Sequence, residues 1–451
     1  MQSFLNALSG VVWGIPMLIF FLFTGLRFST KSNFFQLTGI KQIVKEFALS
    51  LKGDGKTQGI SQFSTFCSVL GACLGTGNIV GVATAIYSGG PGVVVWMIIS
   101  AFISMMTAYA ENFLGTKYTH RYSYKKNSIG AFSYIENGLG MKGLSKIYSV
   151  LFLLSACGMG NMAQSNSITQ ALGSNFNISP TIIAIATALL CFLVIGGGLK
   201  RISKIQTILV PFASIFYFLL CFLVLYKFKE NIVPAINIIF KEAFSLNALR
   251  GFGMYKAIRF GVARGVFSNE AGLGSSTILH AQSSSSDGKA QGVSAILEVF
   301  IDTVLMCSLT ALVILTSTNI YENSLFGAEL SVKAFSEIGA LGNNGVSILT
   351  AIFAFTSLCS YSFYAEKSLE YLLEKENVKI YKYIYIALVF IGGTSSSQSI
   401  WLFADICNGL MAIPNLFALN CLHKEIEYPQ KHKRGCKKSA DRIKPDITRV
   451  L

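Results

Sequence analysis

Charge is scarce in this chain, and so are the residue patterns that usually mark an enzyme. Only 13% of the 451 residues are charged, against 52% hydrophobic. That is too little polarity to cover a water-soluble surface of this size, so a soluble fold is excluded. Neither H-E-x-x-H nor G-x-S-x-G occurs, and there are only four histidines, of which His423 and His432 lie in or beside the C-terminal tail. A membrane-embedded metallopeptidase or serine hydrolase therefore has no candidate residues. The ten cysteines show no C-x-x-C pair and lie mostly in apolar runs, so they read as small core hydrophobes and not as disulfides or metal ligands. No hydrophilic stretch is long enough for a second soluble domain. The longest are 27–62, 117–143 and 422–451, which leaves one membrane domain over 1–451.

What remains is a set of long apolar runs. A span needs about 20 mostly apolar residues, and eleven stretches qualify as candidates: 10–27, 62–87, 92–116, 146–172, 179–196, 204–226, 255–281, 291–317, 346–372, 380–394 and 398–422. The tenth is short. The chain is expected to be an all-α polytopic membrane protein with eleven transmembrane helices. The first run lacks a basic leading segment and a small-residue cleavage site, so it reads as a retained helix rather than a signal peptide. Lys and Arg in short loops stay cytoplasmic. With eleven spans, 29 of them fall on the side of the C-terminus and seven on the other, placing the N-terminus outside and the basic tail 423–451 in the cytoplasm of a plasma-membrane protein. The net charge of +15 suits anionic lipid head groups. It does not point to nucleic acid, and nothing in the chain marks an obligate protein partner.

Two of the runs are broken in the middle by glycine and polar residues: Gly71-Ala-Cys-Leu-Gly-Thr-Gly-Asn78 and Phe267-Ser-Asn-Glu-Ala-Gly-Leu-Gly-Ser-Ser276. Each opens a set of five spans, the first over 62–228 and the second over 251–422. Because five is odd, the two sets run in opposite directions, which is the inverted-repeat plan of a secondary transporter with its site at paired interrupted helices. The span at 10–27 stands outside the repeat. Residues 232–246 are too short to span and read as a helix on the outer surface.

In hydrocarbon an unsatisfied backbone group costs several kcal/mol, so a span is interrupted only where the freed groups meet a ligand, an ion or buried protein. A helix resuming at Ile79 would leave N–H groups around Thr76, Gly77 and Asn78 at its positive end, suited to a carboxylate. Carbonyls from Gly71 to Leu74 face the other way and suit a small cation. The competing reading is that these glycines only allow tight helix packing.

The blocks Gly75-Thr-Gly-Asn-Ile-Val-Gly-Val-Ala-Thr-Ala-Ile86 with Gly89-Gly-Pro-Gly92 and Trp96, Gly261 to Ser276 with Phe300-Ile-Asp302, and Phe403 to Asn415 resemble the alanine or glycine:cation symporter family. The resemblance implies a leucine-transporter-type fold and cotransport of alanine or glycine with Na+, and in some members H+. It places Thr76 and Gly77 at the substrate carboxylate with Asn78 beside them, makes Gln164 a substrate contact, and puts the Gly71 and Leu74 carbonyls on Na+. Thr356 and Ser357 add hydroxyl oxygens that suit Na+, unless they bond back to their own helix. Gln164 competes with a role as interhelical glue. Phe267, Ser268 and Asn269 are expected to line the other side and receive the amine.

A carboxylate at a midplane break is a functional candidate by default. Glu270 could carry a proton, attract the ammonium or cap freed N–H groups, and the cap is favoured. Glu298 is expected near water at the cytoplasmic end, while Asp302 lies deeper and needs a partner. Asp302 and Asp405 are read as structural or gating. At Cys359-Ser-Tyr-Ser-Phe-Tyr-Ala-Glu366 the chain departs from the family it resembles, carrying Ser360, Tyr361 and Ala365 where Gly, Trp and Gly are common. The rival reading from another class is an ion channel with glycine-rich filter segments, but filters usually repeat around a symmetric oligomer, and here two unlike breaks share one chain.

Overall fold

The computed structural model describes residues 2–50, 59–245, 253–318, 325, 327–375, 378–395 and 397–429. The basic tail from residue 430 onward lies outside the described residues. Helices dominate: α1 (Gln2–Val12), α2 (Ile15–Lys31), α3 (Ile40–Ser50), α4 (Gln62–Cys73), α5 (Val80–Gly89), α6 (Val93–Arg121), α7 (Lys142–Phe176), α8 (Pro180–Ile195), α9 (Gly198–Lys227), α10 (Ile232–Ala243), α11 (Gly253–Asn269), α12 (Ser276–His280), α13 (Gly288–Ser317), α14 (Ala328–Ser336), α15 (Ala340–Leu373), α16 (Lys379–Thr394) and α17 (Ser397–Cys421). Every one of the eleven apolar stretches is helical. Among the described residues, seven helical spans are long and apolar enough to cross a bilayer. A further pair, Gln62–Cys73 with Thr76–Gly89, meets the test together but bends by 56° at the first break, and Pro180–Ile195 and Ile380–Thr394 are apolar but shorter.

The outer faces of α8 and α9 carry Ile182, Leu189, Leu193, Ile208, Phe212 and Phe222, all exposed, as a lipid-facing surface requires. The core is built around the two broken helices. α4 packs against α9 and α15, and α11 packs against α5 and α6. Small residues set these distances: a Cβ on Gly261 would lie 2.7 Å from the Val93 carbonyl oxygen of α6. α1 docks on α17 through the Trp13 indole N–H, which donates to the Asp405 carbonyl at 2.9 Å. α10 buries Ala235, Ile239 and Ala243 and leaves Val233 and Phe240 exposed, consistent with a helix lying along the surface.

Two long helices contain a wider, π-helical turn, at Gly158–Ala163 in α7 and at Phe300–Cys307 in α13. Such turns shift side chains off the regular helical stripe and recur at functional sites. Here they set Gln164 and Asp302 against the broken helices.

Candidate functional site

α4 ends at Cys73. The chain then passes through Leu74 and Gly75 into a single tight turn, Thr76–Asn78, and α5 resumes at Val80. The second break is more contorted. Glu270, Gly272 and Gly274 all take left-handed φ values of 57°, 88° and 77°, a conformation that glycine adopts freely and glutamate does not. The two breaks touch, since a Cβ on Gly77 would lie 3.3 Å from the Ser268 Cα. Thr76, Gly77, Asn78, Gln164, Phe267, Ser268 and Asn269, which the sequence marks for substrate, are all buried and meet in this one region.

Their hydrogen bonds assign them different work. The Thr76 N–H donates to Gln164 Oε1 at 3.1 Å, so the amide expected to receive a carboxylate holds a side-chain carbonyl. The Thr76 hydroxyl and the Asn78 Oδ1 are buried and find no partner among the described residues. The Asn78 amide nitrogen donates to Asp302, at 2.7 Å to Oδ1 and 2.9 Å to the main-chain oxygen. Asp302 Oδ2 accepts from the Thr303 hydroxyl at 2.7 Å, and that hydroxyl accepts from the Asn269 amide at 3.0 Å. α13 thus ties the first break to the second through the buried Asp302, supplying the partner that this residue needs. Asn166 serves as interhelical glue, donating to the carbonyls of Gly392 and Ser395.

The residues marked for a cation converge in part. The Ser357 hydroxyl donates to the carbonyls of Gly71 at 3.1 Å and Ala72 at 2.7 Å, which brings the Gly71 oxygen and the Ser357 hydroxyl together. Thr356 bonds back to Phe353 in its own helix at 2.8 Å, and its carbonyl receives the Gln206 amide at 2.9 Å. Leu74 is fully buried just past the end of α4.

Glu270 does not cap the break. Its Oε1 accepts from the Tyr361 hydroxyl at 2.6 Å and its Oε2 from the Ser275 hydroxyl. The freed N–H groups of Gly272 and Gly274 go instead to Glu111 Oε2 on α6, both at 3.1 Å, and the Asn415 amide joins them at 3.1 Å. No motif in the sequence marks Glu111. Its signal was a lone carboxylate in the apolar run of α6, which by itself asks for a partner. Glu298 is corrected as well: it is 3% exposed and meets the equally buried His280, because α13 packs across α6 and α4 instead of facing water. Tyr361 lies so close to α7 that a Cβ on Gly160 would sit 2.0 Å from its ring. The tyrosine is therefore a wall of the region as well as the Glu270 donor.

Beside α5 and α11 lies a cavity of about 450 Å³, lined among others by Tyr87, Arg259, Arg264, Gly327, Trp401 and Asp405. Arg264 makes a two-pronged bond to Asp405 at 2.8 and 2.7 Å. Its guanidinium stands 5.4 Å from the Phe267 ring centre and 5.8 Å from that of Trp401. The pair joins α11 to α17 over Phe267, a link that neither residue's local sequence announces.

The family model for the sodium:alanine symporter family matches residues 1–443. The sodium/alanine symporter AgcS of Methanococcus maripaludis is 37% identical over 426 residues, covering 92% of this chain and 94% of that protein. An uncharacterized transporter of Haemophilus influenzae is 38% identical over 435 residues, covering 94% of each. Among solved structures, MhsT in complex with L-phenylalanine aligns with a TM-score of 0.61 at 14% identity over 82% of this chain and 90% of that one; at that identity the likeness shows a shared fold. The chain is thus a secondary transporter of the membrane and not an enzyme, and it belongs to the sodium:alanine symporter family.

Proposed function

We propose that this protein carries a small neutral amino acid, alanine or glycine, into the cell together with Na+, by alternating access around the two helix breaks. The carrying observation is the pair of buried, unpartnered oxygens at the first break, Thr76 Oγ1 and Asn78 Oδ1. A buried polar atom without a partner costs about 1–3 kcal/mol, and an amino-acid zwitterion offers groups that satisfy both. Its carboxylate accepts from the Thr76 hydroxyl and, once Gln164 turns aside, from the Thr76 N–H. Its ammonium donates to oxygens of Asn78 and of the Phe267 to Asn269 segment. The contact between the breaks at Gly77 and Ser268 favours a small side chain.

Na+ takes the Gly71 carbonyl and the Ser357 hydroxyl, with Leu74 and Thr356 completing the oxygen set. By drawing these oxygens together the ion stabilises the unwound segment that receives the carboxylate, so coupling is differential binding between states. The Arg264–Asp405 pair closes the cavity above Phe267, and its parting admits substrate from outside. This reading keeps eleven spans, the five-plus-five inverted repeat after the extra first helix, and a plasma-membrane orientation with the N-terminus outside.

The test is uptake of labelled alanine and glycine by proteoliposomes with and without an inward Na+ gradient. Uptake indifferent to the gradient removes Na+, and uptake of neither substrate removes the substrate class. Ser357→Ala is expected to raise the Na+ concentration for half-maximal uptake about tenfold, the equivalent of about 1.4 kcal/mol. Thr76→Val is a cleaner probe of the substrate site, because the hydroxyl it removes has no partner among the described residues and the branched shape is kept. Its thermal stability should match wild type while alanine affinity falls about tenfold or more, the worth of one hydrogen bond to a charged group. Unchanged affinity would place the carboxylate elsewhere.

A further inference from the structure

α2 and α17 touch along one seam, and the Asn420 side chain joins them. Its amide donates to the Thr24 hydroxyl at 2.8 Å, and its Oδ1 accepts from the Arg27 guanidinium at 2.9 Å. Each helix turns an apolar stripe outward beside this seam. On α2 the stripe is Ile19, Phe23 and Leu26, and on α17 it is Ile413 and Phe417, all exposed, at the three- and four-residue spacing of a single helical face. In a bilayer these stripes meet acyl chains.

Both stripes end on positive charge. Arg27 and Lys31 lie one turn apart at the end of α2, while His423 and Lys424 follow α17 directly. The Asn420 carbonyl draws the two sets together, lying 3.3 Å from Arg27 Nη1 and 2.8 Å from His423 Nδ1. Lys31 and Lys424 are exposed, and Arg27 and His423 are half-buried. Arg27 and Lys424 repel the charge on Lys31, and all three repel a proton on His423.

Nothing in the fold neutralises this cluster. Among the described residues no carboxylate pairs with Arg27, Lys31 or Lys424, since Glu425, the nearest in sequence, accepts from Lys117 and Tyr118. Arg27 engages Asn420 through Nη1 alone, which leaves donors of its five-donor fork for another acceptor. Long cationic side chains at the end of a span lay their stems along the apolar layer and reach the head-group level. There a phosphate meets both the planar fork of Arg and the point charge of Lys. A soluble anion would answer the charges and leave the stripes idle, and a zwitterionic head group brings a cation of its own. An anionic phospholipid answers charge and stripes together.

We propose that Arg27, Lys31 and Lys424, with His423 beside them, hold the phosphate of one anionic phospholipid whose acyl chains lie along the α2 and α17 stripes. The lipid fastens the helix outside the repeat to α17, which carries Asn415 at the second break and Asp405, the partner of Arg264. Placing the site in the cytoplasmic leaflet rests on the orientation read above; the binding itself does not.

The test is binding of phosphatidylglycerol and phosphatidylcholine to the detergent-purified full chain, counted by native mass spectrometry. It uses neither substrate nor Na+, so its outcome is independent of the transport reading. The first phosphatidylglycerol is expected to bind more tightly than the first phosphatidylcholine. In the double variant Lys31→Gln, Lys424→Gln that first affinity should fall about thirtyfold, each lysine contributing about fivefold at a membrane surface. Both changes fall on exposed side chains, so folding is not at stake. Lys437→Gln with Lys438→Gln removes the same charge from the tail and should leave the first phosphatidylglycerol in place. No preference over phosphatidylcholine, an unchanged affinity in the first variant, or an equal loss in the second overturns the site and leaves only diffuse attraction to a basic protein. Inorganic phosphate is the remaining probe. It should fail to displace the lipid at equal concentration, and displacement would mean that the cations take a soluble anion and the stripes contribute nothing.

Discussion

Gly75→Ala is expected to abolish transport while leaving the protein inserted and folded. A Cβ at this position would sit 2.6 Å from Ser357 Oγ and 2.9 and 3.1 Å from the two amide atoms of Gln164. Contacts under 3 Å to side-chain tips are relieved by moving the tips, and these tips are the ones that matter. Displacing Ser357 breaks its bonds to the Gly71 and Ala72 carbonyls, and displacing Gln164 frees the Thr76 N–H. The two bonds that Ser357 loses, at about 1–1.5 kcal/mol each, correspond to about a hundredfold in binding, and the methyl also blocks the approach of both ion and carboxylate; release of the Thr76 N–H adds no loss, since the carboxylate takes it. Sodium-driven uptake in cells, normalised to surface protein, checks this. Wild-type uptake by Gly75→Ala would show that neither side chain shapes the site. Asn78→Ala is a poorer probe, because truncation also strips Asp302 of its amide donor and mixes loss of site with loss of scaffold.

Glu111→Ala is expected to destabilise the protein more than any other single carboxylate change near the breaks. Its Oε2 alone receives the Gly272 and Gly274 N–H groups and the Asn415 amide, and the residue is fully buried. Truncation leaves three donors without an acceptor, at about 1–3 kcal/mol each. A total of roughly 3–9 kcal/mol corresponds to a fall of about 3–10 °C in apparent melting temperature for a chain of this size. Glu111→Gln keeps an acceptor oxygen and should recover most of that loss. A melting temperature for Glu111→Ala within a degree of wild type would mean that the break is held by Asn415 and packing, not by the carboxylate. Because Glu270 is bonded to two hydroxyls instead of backbone, Glu270→Gln should be milder in stability than Glu111→Ala.

Much of this architecture was legible before any coordinates. Long apolar runs are helical in lipid because the backbone has no other way to satisfy its hydrogen bonds, so each of the eleven stretches forms helix. Glycine clusters in the middle of two of them had to be breaks, since only glycine adopts the left-handed turns seen at Gly272 and Gly274 without strain. The meeting of Thr76 with Phe267 to Asn269 followed from pairing those breaks, while Gln164 came only from the family resemblance. Partner choice was not legible. Whether Glu298 met water or His280, whether Asp302 met Asn78, and whether Glu111 or Glu270 took the freed N–H groups depend on which helix crosses which. Arg264 and Asp405 are 141 residues apart, and no local pattern relates them.

Composition and spacing alone therefore determined that the chain lies in a membrane, that it is helical, and where its two helices break, because the bilayer allows so few backbone solutions. The family signature added that it is a secondary transporter. Only the tertiary structure decided how the buried charges are satisfied: Glu111 on the second break, Asp302 between the two, Arg264 on Asp405, and His280 on Glu298. A buried ionisable group takes its meaning from atoms within about 3 Å, and those atoms are supplied by helix packing, not by neighbours in sequence.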